Sequence, residues 1–218
     1  MMEILIDDIN KYIIPSKSFK RNYEKICNIG KGAFGKVFKA REISTGRLVA
    51  VKQIKINQSR NNYENIIKEI NLLKKIDHPN IVKYYNYFEE ENKIYIIMEY
   101  LEGGTLKEFI NNNKNKMNED NARIIIKQLL NALSYLHYSC DICHRDIKPG
   151  NLIFKYKENI NSLQLVDFGL STDTFEKKYF LDNCGTLKYM APEQITSMIY
   201  SKSVDIWSVG IILYLFIK

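Results

Sequence analysis

Short runs of alternating hydrophobic and polar residues fill much of the amino-terminal half of the chain. The runs YEKICNIG, GKVFKARE and LVAVKQIKI are rich in strand-forming residues, and glycines and the turn STGR separate them. Two more runs of the same kind, IVKYYNYF and KIYIIMEY, follow residue 80. Short strand-like runs divided by turn signals predict an antiparallel sheet built from hairpins.

Between the third and fourth of these runs, the segment NNYENIIKEINLLKKID changes to the spacing of a helix. Its apolar residues recur every three or four positions, which predicts one buried face. The residues predicted on that face are Tyr63, Ile66, Ile70, Leu73 and Ile76. Glu69 falls on the same face, and a buried carboxylate needs a hydrogen-bonded or charged partner.

A second helix is predicted after the glycine pair of LEGGTL and the polar loop NNNKNK. Asn118 can cap this helix, because its side chain can accept hydrogen bonds from the first turn. The predicted inner stripe of the helix is Ala122, Ile126, Leu129, Leu133 and Leu136. Because strands come first and helices later, the order of elements predicts an α+β chain in two lobes. The glycine pair allows a flexible crossing between them.

Composition and charge argue against several classes of protein. The chain has 218 residues, of which 45% are hydrophobic and 26% charged, as in an ordinary globular protein. Its net charge of +7 comes with lysines spread along the whole sequence, so we expect no nucleic-acid partner. No apolar run reaches the length of a membrane-spanning helix, so we expect no insertion into a membrane.

The four cysteines, Cys27, Cys140, Cys143 and Cys184, include a single C-x-x-C pair. A zinc site would need a second pair or histidines at ligand spacing, and a thioredoxin-like site would need a βαβ setting. The sequence has neither, which predicts free thiols in a reducing compartment. The acidic start MMEILIDDIN is unlike a secretory signal peptide, so we expect a cytoplasmic protein, with access to the nucleus left open.

The glycines of GKGAFGKV are Gly30, Gly32 and Gly35, and they form a G-x-G-x-x-G run. This run is a weak signal by itself, because a dinucleotide fingerprint would need a helix directly after it and a strand pattern follows instead. A glycine turn between two strands favours a hairpin whose backbone folds over phosphates.

Lys52 lies in the next strand, within VAVK, among apolar neighbours. A strand lysine ordinarily packs its stem against the sheet and keeps its ammonium group in water. If Lys52 instead pairs with Glu69, it is held where it can bridge the phosphates of a nucleotide.

Further motifs follow in order along the chain, and they are HRD at 144–146, Asn151, DFG at 167–169 and APE at 191–193. Together with the glycine run, Lys52 and Glu69, these motifs resemble the eukaryotic protein kinase family, serine/threonine type. Within that family, the stretch FKYKENINSLQLVDFGLS is similar to the calcium/calmodulin-dependent group.

The resemblance covers residues 23–218 and leaves residues 1–22 as an amino-terminal extension. It implies a two-lobed fold with an amino-terminal lobe at 23–99, built from an antiparallel sheet and one main helix. A hinge at 100–104 and a mostly helical, partial carboxy-terminal lobe at 105–218 are expected to follow.

By this resemblance, the chain is an ATP-dependent kinase that uses Mg²⁺ and acts on serine and threonine hydroxyls of protein substrates. Asp146 is implied to orient the acceptor hydroxyl and take its proton, and Lys148 to steady the transferred phosphate. Asn151 and Asp167 are implied to hold Mg²⁺. Thr186, in CGTLKYMAPE, is implied to lie against Asp146 and Lys148, as in serine/threonine kinases.

A nucleotide site is implied by the same resemblance. Met98 is implied to guard the back of the adenine pocket, while the Glu99 carbonyl and the Leu101 amide hydrogen-bond the base. The full set of residues implied for this site is Ile29, Gly30, Gly32, Gly35, Val37, Ala50, Lys52, Met98, Glu99, Leu101 and Ile153. Without the resemblance, the apolar members of this set are core residues.

An internal column that aligns the two lobes is also implied. Its members are Leu73, Tyr84, His144 and Phe168, and Asp205 is implied to anchor it.

Asp182 occupies a position that often carries a phosphorylated threonine in this family. Two interpretations are open: its carboxylate pairs with Arg145 in place of the phosphate, or it is a solvated loop acid.

The resemblance implies a substrate preference as well. Arginine-directed kinases carry acids at the positions of Thr105, Gly150 and Leu215, so we expect little selection for arginine upstream of the acceptor. Glu102 is the nearest acid that could compensate in part. Leu170, after DFG, favours serine over threonine as the acceptor.

Domains of this family continue beyond the helix that carries Asp205. The resemblance therefore implies either that this sequence is a fragment or that the carboxy-terminal lobe lacks its last helices, and VGIILYLFIK would then expose an apolar face. This leaves an alternative function open, which is a nucleotide-binding but catalytically weak regulator or scaffold. The sequence retains every catalytic residue of the motifs, and it predicts no oligomeric state.

Overall fold

The structure is a computed structural model that describes residues 18–32, 35–56, 60–112, 118–175, 179–182, 184–196 and 199–217. Its largest sheet has five antiparallel strands in the order β1-β2-β3-β5-β4. These strands are β1 (Tyr23–Gly32), β2 (Gly35–Glu42), β3 (Leu48–Lys55), β4 (Tyr84–Glu90) and β5 (Lys93–Glu99). The strand-like runs of the sequence therefore belong to one sheet, as their pattern predicted.

The glycine-rich hairpin joins β1 to β2. Gly30 pairs with Val37, and Gly32 pairs with Gly35 at the end of the ladder. A Cβ atom at Gly35 would collide with the carbonyl oxygen of Gln53 in β3. Only glycine therefore lets the hairpin backbone lie this close to the neighbouring strand.

Helix α2 (Arg60–Lys75) packs its apolar face into the core. Four of the five residues predicted on that face are buried, but the prediction for Tyr63 was wrong. The Tyr63 side chain is 37% exposed, because its hydroxyl group donates a hydrogen bond to Glu89 at 3.1 Å instead of entering the core.

Strand β4 begins later than the run IVKYYNYF predicted. Ile81 forms an isolated bridge to Leu165, and the Val82 N–H donates to the Leu165 carbonyl at 3.0 Å. These residues are bonded to the second lobe, so the ladder with β5 starts only at Tyr84.

Most residues of the second lobe are helical or in loops. Its α-helices are α3 (Leu106–Asn112), α4 (Glu119–Ser134), α5 (Pro192–Thr196) and α6 (Ser203–Ile217). Strand β6 (Ile142–Cys143) pairs with β9 (Thr172–Asp173), and β7 (Leu152–Phe154) pairs with β8 (Leu163–Leu165). A π-helical turn at Tyr135–Ser139 ends α4, and 3₁₀ turns lie at Pro149–Asn151, Ile160–Ser162 and Leu187–Tyr189. The α+β class and the two-lobed arrangement are confirmed.

Helix α4 is capped as predicted, because Asn118 Oδ1 accepts a hydrogen bond from the Asn121 N–H at 2.9 Å. Its inner stripe differs by one position from the prediction. Ile125 is completely buried, whereas Ile126 is only partly buried. The centre of the buried face is therefore rotated toward Ile125.

One continuous core joins the two lobes. It contains buried residues of α2, such as Ile70, together with Leu133 of α4 and Phe168. Because the same cluster includes residues from both lobes, packing fixes their relative position.

Helix α1 (Phe19–Asn22) precedes the first strand and covers the outer face of the sheet. Phe19 is 5% exposed, and its ring stacks on Tyr95 with 4.3 Å between centroids. Rings of Tyr23, Phe38 and Phe88 complete this aromatic cluster. The domain boundary at residue 23 stays a prediction, but the residues just before it pack as part of the first lobe.

Helix α6 turns several apolar residues toward solvent. Ile206, Trp207 and Tyr214 are each between 45% and 59% exposed. No helix within the described ranges combines the length and the apolarity needed to cross a membrane.

We expect Phe19→Ala to lower the free energy of unfolding by about 3 kcal/mol, because it removes a buried ring from the aromatic cluster. Urea denaturation followed by fluorescence measures this change. Ile43→Ala is the control, since Ile43 is 59% exposed and its loss should change stability by less than about 0.5 kcal/mol. Equal stability of the Phe19 variant and the parent would show that α1 does not support the sheet.

Candidate active site

A cavity of about 320 Å³ lies between the two lobes. All but one of the residues predicted for the nucleotide site line it. The exception is Gly32, which closes the hairpin above; residues 33 and 34 at its tip lie outside the described residues. The sequence therefore predicted a set of residues that the fold brings to one place.

The hinge forms one end of this cavity. The Glu99 N–H donates to the Lys83 carbonyl at 2.9 Å, and the Gly103 N–H donates to Phe154 at 2.9 Å. These bonds tie the hinge to both lobes. No acceptor within the described part of the chain bonds the Leu101 N–H. A base in the cavity would supply the acceptor that this donor needs.

Lys52 forms two ion pairs at the inner end of the cavity. Its Nζ atom lies 2.7 Å from Glu69 Oε1 and 2.8 Å from Asp167 Oδ1. The Lys52 and Glu69 side chains are almost fully buried, whereas Asp167 is 36% exposed toward the cavity. Glu69 on α2 thus has the cationic partner that its place on the buried face required.

Burial and charge interactions compete to set the pKa values of these three groups. Burial would lower the pKa of Lys52, but the Glu69 and Asp167 carboxylates outweigh it and hold that pKa above its usual value. Burial would raise the pKa of Asp167, but Lys52 outweighs it and the pKa is lowered. At Glu69 the effect of burial is larger than that of Lys52, so the pKa of this carboxyl group is raised. Lys52 and Asp167 are therefore charged at neutral pH.

The loop after β6 carries the second group of predicted residues. Asp146 Oδ2 accepts hydrogen bonds from Lys148 Nζ at 2.6 Å and from Asn151 Nδ2 at 2.9 Å. Its Oδ1 atom accepts from Thr186 Oγ1 at 2.7 Å, and Lys148 Nζ also donates to Thr186 at 2.9 Å. The carboxylate is thus oriented by three donors, and the predicted contact between Thr186 and this pair is present.

Asp205 on α6 fixes the backbone of this loop. Its carboxylate is 1% exposed and accepts hydrogen bonds from the N–H groups of His144 at 2.9 Å and Arg145 at 2.8 Å. Arg145 has a positive φ of 66°, which is costly for a residue with a side chain. The bonds to Asp205 hold the loop in that conformation. His137 Nε2, from the π-helical turn, lies 2.8 Å from the same carboxylate.

One contact of the predicted internal column is present. His144 contacts Phe168 edge to face with 5.1 Å between ring centroids. Leu73 and Phe168 are buried in the shared core, and Tyr84 packs against it. Burial lowers the pKa of His144, so the ring is neutral at physiological pH.

The donor set suits a magnesium ion bound together with phosphates. Asp167 offers an ionised carboxylate at the cavity, and Asn151 lines the same cavity. The Asn151 amide nitrogen is engaged by Asp146, which leaves its oxygen as a metal ligand. Among the described residues, no group of three or more histidine, cysteine or acidic side chains could hold a metal. Few protein ligands are what Mg²⁺ requires when substrate phosphates and water complete its shell.

The four cysteines are free thiols, as predicted. Cys143 is buried, and its Sγ lies 3.5 Å from Asp205 Oδ2.

Arg145 points from the loop toward the segment after β9. Its NH1 atom lies 3.1 Å from Asp182 Oδ2, and its Nε donates to the Leu170 carbonyl at 2.7 Å. The Tyr200 hydroxyl group donates to the Asp182 carbonyl at 2.6 Å and accepts from Arg145 at 3.3 Å. Asp182 is therefore held at Arg145 through both its side chain and its backbone.

Several residues that line the cavity were not predicted for the nucleotide site. They are Val82, Tyr100, Thr105, Gly150 and Val166. Tyr100 and Val166 are sequence neighbours of predicted residues, so their place in the cavity lining could have been predicted from the sequence. Thr105 reaches the cavity because it bridges to Ile153, a contact that no local pattern reveals.

A two-lobed fold with a glycine hairpin, a buried lysine–glutamate pair and an oriented aspartate in a loop defines the class of protein kinases. A family model described as the protein kinase domain matches residues 23–218. The chain belongs to the protein kinase domain family.

Curated relatives support this assignment. The chain is 41% identical over 199 residues to a Dictyostelium discoideum protein named probable myosin light chain kinase. The aligned residues make up 89% of this chain and 62% of that protein. It is 37% identical over 203 residues to calcium-dependent protein kinase 4 of Plasmodium falciparum, covering 92% of this chain and 38% of that protein. It is also 37% identical over 195 residues to an SNF1-related protein kinase catalytic subunit of Arabidopsis thaliana, with coverages of 88% and 38%.

Replacement of Lys52 should make stability depend on pH. Lys52→Met leaves Glu69 buried without its ammonium partner, so the pKa of Glu69 rises further above the unfolded value of about 4.3. The folded variant then binds more protons than the unfolded one, so its stability is greatest at low pH and falls as pH rises through the folded pKa. We expect the loss relative to the parent to be about 1 to 3 kcal/mol larger at pH 8 than at pH 5 in urea denaturation.

The matched control is Lys52→Met combined with Glu69→Gln, which removes the titrating group. Its stability relative to the parent should change far less between the two pH values. A loss in the single variant that is the same at pH 5 and pH 8 would contradict this electrostatic account.

Proposed function

We propose that the protein is an ATP-dependent serine/threonine kinase that transfers the γ-phosphate of Mg-ATP to hydroxyl groups of proteins. One observation carries the proposal. Lys148, Asn151 and Thr186 converge on the Asp146 carboxylate beside a cavity that ends at the Lys52–Asp167 ion pair. A charged site for phosphates and an oriented acceptor for a proton are thus present together.

Nucleotide binding is assigned to the cavity between the lobes. The adenine base fills its apolar part and hydrogen-bonds the hinge, while the glycine hairpin covers the phosphates. Glu69 holds Lys52 where it would contact the phosphates, and Asn151 and Asp167 would hold Mg²⁺. The metal neutralises phosphate charge when it is bound.

Phosphotransfer then depends on Asp146 and Lys148. The acceptor oxygen forms a bond to the γ-phosphorus, the bond from that phosphorus to the leaving oxygen of ADP breaks, and Asp146 takes the hydroxyl proton. The Lys148 ammonium group stabilises negative charge on the transferred group. The Lys148–Thr186 contact of 2.9 Å supports the serine/threonine class.

Lys52→Met and Asp167→Asn should each lower kcat/KM by about 100-fold or more, because both remove charges that act on phosphate or metal. A radiometric assay with Mg-ATP and a generic protein substrate measures the loss. Lys55→Met is the matched control, since Lys55 lies on the same strand but is exposed, and it should keep the parental rate.

Retention of more than about a tenth of the activity in either variant would contradict these roles. No phosphotransfer by the parent chain, together with nucleotide binding, would instead support the weakly catalytic regulator. The relatives' lengths make this outcome worth testing, because the chain spans between 38% and 62% of the three described above.

We further infer that Asp182 takes the place of an activating phosphate. Its carboxylate lies 3.1 Å from the Arg145 guanidinium; the Arg145 side chain is only 9% exposed, whereas the Asp182 side chain is 76% exposed. A carboxylate carries less charge than a phosphate, so it orders the segment less firmly. Basal activity therefore does not require phosphorylation at this position.

Asp182→Ala should lower kcat by about five-fold, because a partly exposed ion pair of this kind stabilises by about 1 kcal/mol. Parent and variant are both treated with phosphatase before the assay, so that other phosphorylated residues do not contribute. Asp120→Ala, at an exposed position of α4, is the control and should have no effect. Equal activity of the Asp182 variant and the parent would show that this carboxylate does not replace a phosphate.

A further inference from the structure

A second cavity, of about 500 Å³, lies beside the hinge. Glu99 lines both this cavity and the one proposed for the nucleotide, so the start of the hinge forms a wall between them. Lys155, which follows β7 in the second lobe, lines the second cavity and not the first. Any effect of Lys155 on a bound base must therefore pass through the hinge.

The Lys155 side chain bonds the residue at which the hinge begins. Its Nζ atom lies 2.8 Å from Glu99 Oε1, and the Lys155 and Glu99 side chains are 33% and 17% exposed. Gln164 Nε2 lies 3.4 Å from the other oxygen of the same carboxylate, which is the longer of the two contacts. The ammonium group of Lys155 is thus the charged partner that ties Glu99, at the end of the sheet, to the second lobe.

The backbone of Lys155 bonds the hinge at a second point. Its carbonyl group accepts a hydrogen bond from the Glu102 N–H at 3.2 Å, and its own N–H donates to the Ser162 carbonyl at 2.8 Å. The second bond fixes Lys155 to the strand pair β7–β8. One anchored residue of the second lobe therefore holds the hinge at two positions that are three residues apart.

Leu101 lies between these two positions and lines the nucleotide cavity. Its N–H has no acceptor in the part of the chain that the structure describes, so it is available to a base. A hydrogen bond weakens steeply when the donor is turned away from the acceptor. The bonds on either side of Leu101 therefore decide how well this N–H meets a ligand.

The two bonds from Lys155 differ in a way that makes them separable. The bond to Glu102 is made by backbone atoms, and so is the neighbouring bond from the Gly103 N–H to Phe154. A substitution at Lys155 leaves these backbone bonds in place. It removes only the ammonium group, and with it the ion pair on the amino-terminal side of Leu101.

We propose that Lys155 is a positioning residue for nucleotide binding, which acts through its ion pair with Glu99 to hold the Leu101 N–H toward the base. The inference rests on the proposed nucleotide site and adds a residue that lies outside it. Because Lys155 has no contact with the nucleotide cavity, its ammonium group affects the affinity for the base and not the transfer of the phosphate.

Calorimetric titration of the full 218-residue chain with adenosine and with Mg-ATP tests this inference. We expect Lys155→Met to raise the Kd of both ligands by about three-fold, since a partly exposed ion pair contributes a factor of this size. The factor should be the same for both, because the hinge meets the base and not the phosphates. In the kinase assay, KM for ATP should rise while kcat stays at the parental value. Lys155→Arg keeps the charge and should restore the parental Kd.

Lys157→Met is the matched control. Lys157 is exposed two residues further along the same connection and loses the same charge, so its Kd values should equal those of the parent. Glu99→Gln removes the other partner of the ion pair and leaves the Glu99 carbonyl in place. Combining it with Lys155→Met should weaken binding no further than Lys155→Met alone, because both changes remove one interaction.

Equal Kd values for Lys155→Met and the parent would overturn the inference. A lower kcat or a lower binding stoichiometry with unchanged Kd would also overturn it, because Lys155 would then only support folding. A loss confined to Mg-ATP would do the same, since the effect would lie on the phosphates. If the parent binds nucleotide but phosphorylates no protein, the kinase proposal fails alone and the Kd values still decide the role of Lys155. If the parent binds neither ligand, both proposals fail.

Discussion

The buried carboxylate of Asp205 is the group on which the candidate active site depends. It lies on α6 with 1% of its surface exposed and accepts bonds from two consecutive N–H groups of the loop, those of His144 and Arg145. Burial would raise the pKa of Asp205, but the hydrogen bond from His137 and the loop N–H of His144 outweigh it and hold the pKa low. A charged acceptor can therefore stabilise a backbone with positive φ at Arg145, and this conformation sends the Asp146 and Arg145 side chains in different directions.

The second constraint is the Lys52 ion pair, because it joins elements that are distant in sequence. Lys52 lies on the sheet, Glu69 on α2 and Asp167 two residues after β8 in the other lobe. A buried pair of this kind adds little net stability, but loss of one partner leaves an uncompensated charge. The pair therefore acts mainly on geometry: α2 has to stay rotated with Glu69 inward, and the lobes have to stay close enough for Lys52 to reach Asp167.

Local patterns predicted much of the fold and the site, and the two main misses have different physical causes. The strands, the capped α4, and Glu69 on the buried face of α2 follow from spacing between near neighbours, which the sequence displays directly. Phe19 was not predicted to pack, because its main partner, Tyr95, is 76 positions away and the residues before Tyr23 have no periodicity. The prediction that Tyr63 is buried was wrong for a different reason. A tyrosine on the apolar face of a helix can turn its hydroxyl group to a surface partner, as Tyr63 does toward Glu89.

Arg145 shows how a cation acquires its role from its surroundings. Arg145 is almost buried and meets Asp182, Tyr200 and the Leu170 carbonyl, so its charge is used inside the protein to fix a segment. The Tyr200 hydroxyl group bonds both partners, because it accepts from Arg145 and donates to the Asp182 carbonyl. The contact therefore does not depend on the exposed Asp182 carboxylate alone. Since the Arg145 N–H is bonded to Asp205 on α6, one residue connects the segment after β9 to the backbone of the loop that carries Asp146.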